Sequence, residues 1–237
     1  MKSRFPGFPP DGIQFLRELK ANNDREWFQP RKARFDEKVR GPMLELVREL
    51  HAGMMKFGPE YVGDPTKSVY RIYRDTRFSK DKTPYKPHIA ALFWRRGLGK
   101  DDGAGMFFLI SPDKIEIAGG LYMPERERLL AVRTHVAGNI GEFRKTFENR
   151  TVKKLLGDMH GEKTSRPPKG FDAAHPAIEL LKHKQYILGT TMDGALASTP
   201  KLFSEILSRF EAMTPFVEFL NRPLIAMGRA APDKFLR

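Results

Sequence analysis

The sequence has 237 residues, with 42 Lys and Arg against 29 Asp and Glu, and no cysteine. The net charge of +13 favours acidic partners such as phosphorylated metabolites, nucleic acid or an anionic membrane surface. The lack of cysteine excludes disulfides, thiolate metal ligands and a cysteine nucleophile. The N-terminus lacks the apolar segment of a secretory signal, and no apolar run approaches the roughly 20 residues that span a bilayer. We therefore expect a soluble, cytoplasmic protein that does not insert into a membrane.

The chain is predicted to begin with an irregular arm. Residues 1–10 contain three prolines and show no hydrophobic periodicity, so we place a single domain over residues 11–237. Within that domain, the spacing of Ile13, Leu16 and Leu19 predicts a short amphipathic helix.

A second helix is predicted to begin at Asn23. Asn23 and Glu26 match a capping box, in which each side chain bonds a backbone N–H of the first turn. We expect Trp27 and Phe28, in that first turn, to pack mainly against the first helix. Helical spacing of apolar residues then continues to about Met55.

Strands are predicted in the middle of the chain, where β-branched and aromatic residues are dense. Pro112 and Asp113 provide a hairpin turn between the last two. Because short turns join consecutive strands, the pattern predicts an antiparallel sheet rather than βαβ units. The four predicted strands cover residues 68–78, 86–94, 106–111 and 114–119.

Most of the remaining chain is predicted to be helical. In order, we expect helices from Pro124 to about residue 159, a turn-rich segment at 167–176, a short helix at 177–183, a strand at 185–192 and a final helix opened by Pro200. Together these elements predict an α+β domain in which helices flank an antiparallel sheet of about four to six strands.

The most distinctive segment is the basic block, residues 68–86, which reads SVYRIYRDTRFSKDKTPYK. Its six cations and two carboxylates alternate with aromatic and β-branched side chains. A guanidinium held among rings suits bidentate contact with a phosphate or carboxylate, so we predict that the block binds an anionic, phosphate-bearing small molecule. The alternative is a solvated strand face on which Asp75 pairs a neighbouring arginine. The candidate ligand-binding residues are Arg71, Arg74, Asp75, Arg77, Lys80, Lys82, Tyr85 and Lys86.

The block also carries a family resemblance. RDTRFSKDKTPYK, with NNDREWF at residues 22–28 and PPKGFD at residues 167–172, resembles the bacterial and fungal family known as domain of unknown function 2461. The resemblance extends from about Phe8 to beyond Tyr186. It implies a shared fold and no particular activity, because the family has no established one.

Two sets of residues are candidates for proton transfer. Lys82 lies in a crowd of cations, which favours a neutral amine that could act as a base or nucleophile. Asp172 and His175 are three residues apart on a predicted turn and could form an acid–base pair. The alternatives are that Lys82 is merely solvated and that Asp172 caps the following short helix while His175 fills the turn.

We expect no metal and no cofactor. The six histidines form no pair four residues apart on a predicted helix, and the HExxH, GxSxG and P-loop patterns are absent. Three functions stay open: binding of an anionic ligand, an enzyme acting on a phosphorylated substrate, and nucleic-acid binding through the same basic and aromatic residues.

Overall fold

The computed structural model describes residues 4–230, and the side chains of residues 4–228. It confirms the predicted α+β class with a four-stranded antiparallel sheet. The predicted domain bounds, 11–237, extend beyond the described residues and stay a prediction.

The chain divides into two compact units, each formed by three segments. Unit 1 contains the residues up to Phe93 together with Phe107–Ile117 and Thr191–Ser208, and unit 2 contains Trp94–Met106, Ala118–Thr190 and the residues from Arg209 onward. Each of the four strands passes from one unit to the other along its length, so no linker separates the units in the sequence.

The sheet has the strand order β1-β2-β3-β4. Pro112 and Asp113 lie in the β2–β3 turn, as predicted, and Ser111 closes that turn by donating its hydroxyl to the Lys114 carbonyl at 2.9 Å. The predicted strands at 106–111, 114–119 and 185–192 are therefore confirmed to within two residues. The strands are β1 Ile89–Trp94, β2 Gly105–Ile110, β3 Lys114–Leu121 and β4 Tyr186–Asp193.

The predicted continuous strand over residues 68–78 is wrong. This segment runs beside residues 84–91, but it forms only two isolated antiparallel bridges. Pro84 and Pro87 explain the interruption, because a proline has no N–H with which to continue a ladder of hydrogen bonds. The bridges pair Val69 with Ala91 and Tyr73 with Tyr85.

The helices follow the predicted order, although their lengths vary widely. The last helix continues through two internal prolines and is 30 residues long. The helices are α1 Pro10–Ala21, α2 Arg25–Phe28, α3 Lys32–Phe35, α4 Gly41–Met54, α5 Pro65–Ser68, α6 Arg126–Gly138, α7 Ile140–Phe147, α8 Arg150–Leu156, α9 Ile178–Leu181 and α10 Lys201–Ala230.

The predicted capping box at the start of α2 is wrong by one residue. Asp24 is the N-cap, and its carboxylate accepts a hydrogen bond from the Trp27 N–H at 2.7 Å. The Asn23 side chain is not the cap and instead contacts Tyr85, which is 62 residues away in the sequence.

Aromatic rings form much of the core of unit 1. Phe15 of α1 contacts both Trp27 and Phe28, with ring centroids 5.4 and 6.2 Å apart, as predicted from the sequence. The arm before α1 has no regular structure over residues 4–9, yet Phe8 is buried and its N–H donates to the Ala197 carbonyl at 2.8 Å. The arm is therefore anchored in the core.

Unit 2 has its own aromatic core, centred on Phe143 of α7. Its ring lies 4.9 Å from that of Phe219 and 5.7 Å from that of Phe216. Nearby, the fully buried Asn221 accepts a hydrogen bond from the Ala104 N–H and donates one to its carbonyl, at 2.8 and 2.9 Å. An α10 side chain thus fixes the loop before β2.

A candidate anion site in the basic block

The basic block is attached to the helical part of unit 1 by Asn23. The Asn23 amide donates to the Tyr85 carbonyl at 2.9 Å and accepts from the Tyr85 N–H at 3.0 Å. The Tyr85 ring, which is 1% exposed, stacks on Phe28 with centroids 4.2 Å apart. The NNDREWF motif therefore packs against the block, and the Tyr85 ring belongs to the core.

Arg74 organises the loop at the tip of the block. Its guanidinium donates to the Asp81 carboxylate and the Thr83 hydroxyl, and also approaches the Ser79 hydroxyl at 3.5 Å. Hydrogen bonds from the Thr83 N–H and from Arg74 lower the pKa of Asp81 to about 2. Arg74 thus already has a carboxylate partner.

Arg77 is also paired, although its side chain is 77% exposed. It forms a bidentate contact with Asp75, with Nε and Nη2 donating at 3.0 and 2.7 Å. This contact lowers the pKa of Asp75 to about 2. The pairing of Asp75 with a neighbouring arginine, foreseen as the structural alternative, is present here.

The two lysines of the loop tip are both exposed. The Lys82 ammonium donates to the Thr76 carbonyl at 2.9 Å, which directs it back onto the loop. Among the described residues, Lys80 has neither an ion pair nor a hydrogen bond through its side chain.

Lys86 is in a different environment, because it is half-buried and has no carboxylate partner within the described part of the chain. Its ammonium lies 5.2 Å from the centroid of the Tyr70 ring. Burial, and then the charge of Arg71, lower the pKa of Lys86. Arg71 itself is exposed and forms no ion pair with any residue between 4 and 228. These two cations therefore repel each other, although the Arg71 charge also acts on Asp75, whose pKa it helps to lower.

His88 adds a third group to this cluster. Burial is the main cause that lowers its pKa, and the Lys86 charge is the second, so the imidazole is neutral at pH 7. The carboxylate that acts on His88 most strongly is Glu116 of β3, which is itself paired with Lys114. A neutral imidazole can donate one hydrogen bond to a bound anion. We name the two cations Arg71 and Lys86, together with the neutral His88, the cation cluster.

An aromatic surface accompanies the cation cluster. Tyr70 and Phe107 of β2 are both half-buried and meet edge to face, with centroids 6.4 Å apart. The cluster therefore combines hydrogen-bond donors with apolar surface.

His88 was not among the residues chosen from the sequence. A signal was present in the strand predicted over residues 86–94, in which the side chains of Lys86 and His88 would point to the same side, although the structure bends at residues 87 and 88 and β1 begins at Ile89. The choice stopped at Lys86 because the charge density of the block ends there.

The second candidate pair, Asp172 and His175, makes only local contacts among the described residues. Asp172 accepts from the Ala174 N–H at 2.8 Å, and the His175 Nδ1 accepts from the Ala177 N–H at 3.0 Å. The His175 N–H in turn donates to the Asp172 carbonyl at 3.1 Å. Both side chains thus stabilise the turn before α9, and their role as an acid–base pair stays a prediction.

Between residues 4 and 230, no group of three or more His, Asp or Glu side chains could hold a metal ion. None of the helices described there is long and apolar enough to cross a membrane.

The fold places the chain among α+β proteins built on an antiparallel sheet. A family model described as "Conserved hypothetical protein (DUF2461)" matches residues 11–219, so the chain belongs to this family and the resemblance of its motifs is confirmed. The chain matches no curated protein and no solved structure.

Proposed function

We propose that the protein binds an anionic, phosphate-bearing small molecule at the basic block, with Arg71, Lys86 and His88 as the central contacts. The observation that supports the proposal most is the environment of Lys86, which is half-buried near Arg71 and has no carboxylate partner among the described residues. Burying the Lys86 ammonium near the charge of Arg71 is costly, and a bound anion would relieve that cost.

Arg74 and Arg77 belong to the edge of the proposed site. Each already contacts a carboxylate, so a ligand that reaches either arginine must compete with Asp81 or Asp75. The exposed Lys80 and Lys82 can attract an anion over a distance, but water and salt weaken their contribution.

The proposal is tested by thermal unfolding with inorganic phosphate, compared with chloride at matched ionic strength. Site binding raises the melting temperature in a saturable way, because the ligand binds only the native state. Phosphate also stabilises proteins generally by exclusion from their surface, and that part does not saturate at low concentration. The saturable part should be smaller in Lys86→Gln and Arg71→Gln than in the wild type and should be unchanged in Lys80→Gln, which removes one exposed charge from the same block. Identical shifts in all four proteins would refute the site.

Nucleic-acid binding is tested separately, by measuring the affinity of the protein for duplex DNA at several salt concentrations. If the block binds the backbone of duplex DNA, log affinity should fall with log salt by roughly 0.9 per phosphate contact. Negligible affinity for DNA at low salt would leave the small-molecule site as the better explanation of the basic charge.

The lowered pKa of Lys86 also favours a second candidate function, an enzyme that acts on a phosphorylated substrate. A lowered pKa increases the share of neutral amine, the form that acts as a base or nucleophile. Lys86→Arg keeps the charge but cannot lose its proton near pH 7. In a screen of phosphorylated substrates, this variant should bind the ligand and lower any turnover by about 10²–10⁴-fold. Unchanged turnover would exclude Lys86 as the base.

A further inference from the structure

Unit 2 contains a cavity of about 620 Å³ that the proposed function does not use. It lies between one face of α6 and the segment of residues 164–170. The volume is within the range of about 300–1,000 Å³ that is typical of small-molecule sites. The PPKG part of the third family motif forms part of its wall.

The α6 wall has a regular pattern. Arg126, Leu129, Leu130 and Arg133 are spaced at i, i+3, i+4 and i+7, which places them on one face of the helix. The two leucines therefore lie between two arginines. Leu130 is 50% exposed, so this apolar surface is open to a ligand.

The opposite wall repeats this combination of apolar surface and positive charge. Pro167 and Pro168 provide apolar surface, while Arg166 and Lys169 provide two more cations, and both are exposed. No Asp or Glu is among the residues that line the cavity. Within the described part of the chain, Arg166 and Lys169 form no ion pair.

Arg133 has unused hydrogen-bonding capacity. One of its terminal nitrogens donates to the His183 carbonyl at 2.9 Å, which fixes the side chain. Its Nε is buried and has no hydrogen-bond partner among the described residues. The guanidinium also interacts with the buried Tyr186 hydroxyl, where it opposes the burial that raises the Tyr186 pKa, so Arg133 contributes a fixed positive charge to the cavity wall.

We propose that this cavity binds an organic phosphate monoester with a short aliphatic body, the phosphate contacting the four cations and the body packing on the leucines and prolines. A phosphate dianion fits better than a carboxylate, because it offers more negative charge and more acceptor oxygens to guanidinium groups. The cavity shares no residue with the anion site proposed at the basic block, because all residues that line the cavity belong to unit 2 and the basic block belongs to unit 1.

The test is calorimetric titration of the full chain with n-hexyl phosphate, using inorganic phosphate, hexanoate and hexanol as comparison ligands. Hexyl phosphate should bind most tightly, because only it satisfies both parts of the cavity. Arg166→Gln and Lys169→Gln should each weaken its binding about tenfold, the effect of losing one charge-assisted hydrogen bond. Leu130→Ser should weaken hexyl phosphate more than inorganic phosphate.

Two controls separate this site from others. Lys154→Gln removes an exposed cation of unit 2 that does not line the cavity, so it should leave the affinity unchanged. Lys86→Gln should also leave unchanged the part of the hexyl phosphate affinity that Arg166→Gln lowers. It should weaken only the phosphate binding at the basic block of unit 1. Equal affinity for hexyl phosphate and inorganic phosphate, or wild-type affinity in Arg166→Gln and Lys169→Gln, would overturn the proposal.

The same chemistry could be supplied by a lipid headgroup. Phosphatidylcholine vesicles with and without phosphatidic acid are therefore added as competitors in the titration. Competition only by the vesicles with phosphatidic acid would identify a lipid as the source, and the absence of competition would identify a free organic phosphate.

Discussion

At the scale of single residues, one asparagine side chain in each unit bonds the backbone N–H and carbonyl of a distant residue. Asn23 bonds both backbone groups of Tyr85, and Asn221 bonds both backbone groups of Ala104. An asparagine amide suits this role because it has a donor and an acceptor side by side. Neither contact could be predicted from local sequence, because the partners are 62 and 117 residues apart. The Asn23 contact is also why the predicted capping box is wrong.

Asn23→Ala should destabilise the protein and release the basic block. The substitution removes two hydrogen bonds and leaves partly buried backbone groups of Tyr85 without partners, which costs about 1–3 kcal/mol. Chemical denaturation should show a lower midpoint, and limited proteolysis should cleave the loop of residues 79–83 faster. Asn22→Ala is the control, since within the described residues the Asn22 side chain bonds only the Glu18 carbonyl at the end of α1. A block as protected as that of the wild type would contradict this role of Asn23.

His183 should make the stability of the protein depend on pH. It is 3% exposed, and burial, followed by the Lys163 charge, lowers its pKa from 6.5 to about 4. Between these values the unfolded chain takes up a proton that the folded chain does not. The free energy of unfolding should therefore fall as pH falls from 6.5 to 4, by about 3 kcal/mol from this group, and no further below pH 4.

Other groups titrate in the same range, so a comparison of variants isolates the histidine. His183→Phe keeps a ring against Tyr186 and removes the titration, so its unfolding free energy should vary less between pH 4 and 6.5 than that of the wild type. His160→Phe replaces an exposed histidine whose charge is the smallest cause of the lowered His183 pKa, so this variant should retain most of the wild-type dependence. Parallel curves for wild type and His183→Phe would show that His183 does not contribute.

At the scale of elements, local patterns predicted what local interactions determine. The β2–β3 hairpin has a turn at Pro112 and Asp113 between two apolar segments, and the structure matches it. Residues 68–78 were mispredicted as a continuous strand because strand propensity was counted in that segment alone, whereas Pro84 and Pro87 in the segment opposite interrupt the ladder of hydrogen bonds. Lys86 was one of eight residues of the block predicted to contact a ligand, and its half-buried position depends on tertiary structure that the sequence does not show.

The pairing of β3 with β4 requires glycine at position 120. Gly120 has a φ of +135°, and a Cβ atom there would lie 2.0 Å from the Tyr186 carbonyl oxygen. Gly120→Ala should lower the free energy of unfolding by about 2–4 kcal/mol, because overpacking and backbone strain each cost about 1–3 kcal/mol. Denaturant titration measures the effect.

Gly141→Ala is the matched control. Gly141 lies in α7, and a Cβ atom there meets nothing within 4 Å. This change should be neutral or slightly stabilising, since alanine is the better helix former. Equal denaturation midpoints for Gly120→Ala and Gly141→Ala would contradict the packing described for β3.

At the scale of the whole molecule, the division into two units could not be predicted. Domain boundaries are normally found in linkers, and here each unit change occurs inside a strand or helix or beside one. The net charge of +13 was visible from the start, but it does not show where an anion would bind. Among the described residues, Asp81 and Asp75 form ion pairs with Arg74 and Arg77, whereas Arg71 and Lys86 form none, which is why the proposed site is centred on Arg71 and Lys86.

The most direct test is a pH titration of Lys86 that is monitored by NMR. The lysines are first labelled by reductive ¹³C-methylation. The Lys86 resonance is assigned by its loss in Lys86→Gln. Without phosphate, Lys86 should titrate below its ordinary pKa of 10.5. Saturating phosphate at matched ionic strength should raise the pKa, because an adjacent anion favours the charged ammonium. The Lys80 resonance should not respond to phosphate at constant pH. A Lys86 pKa that is the same with phosphate as with chloride would contradict an anion site at the basic block.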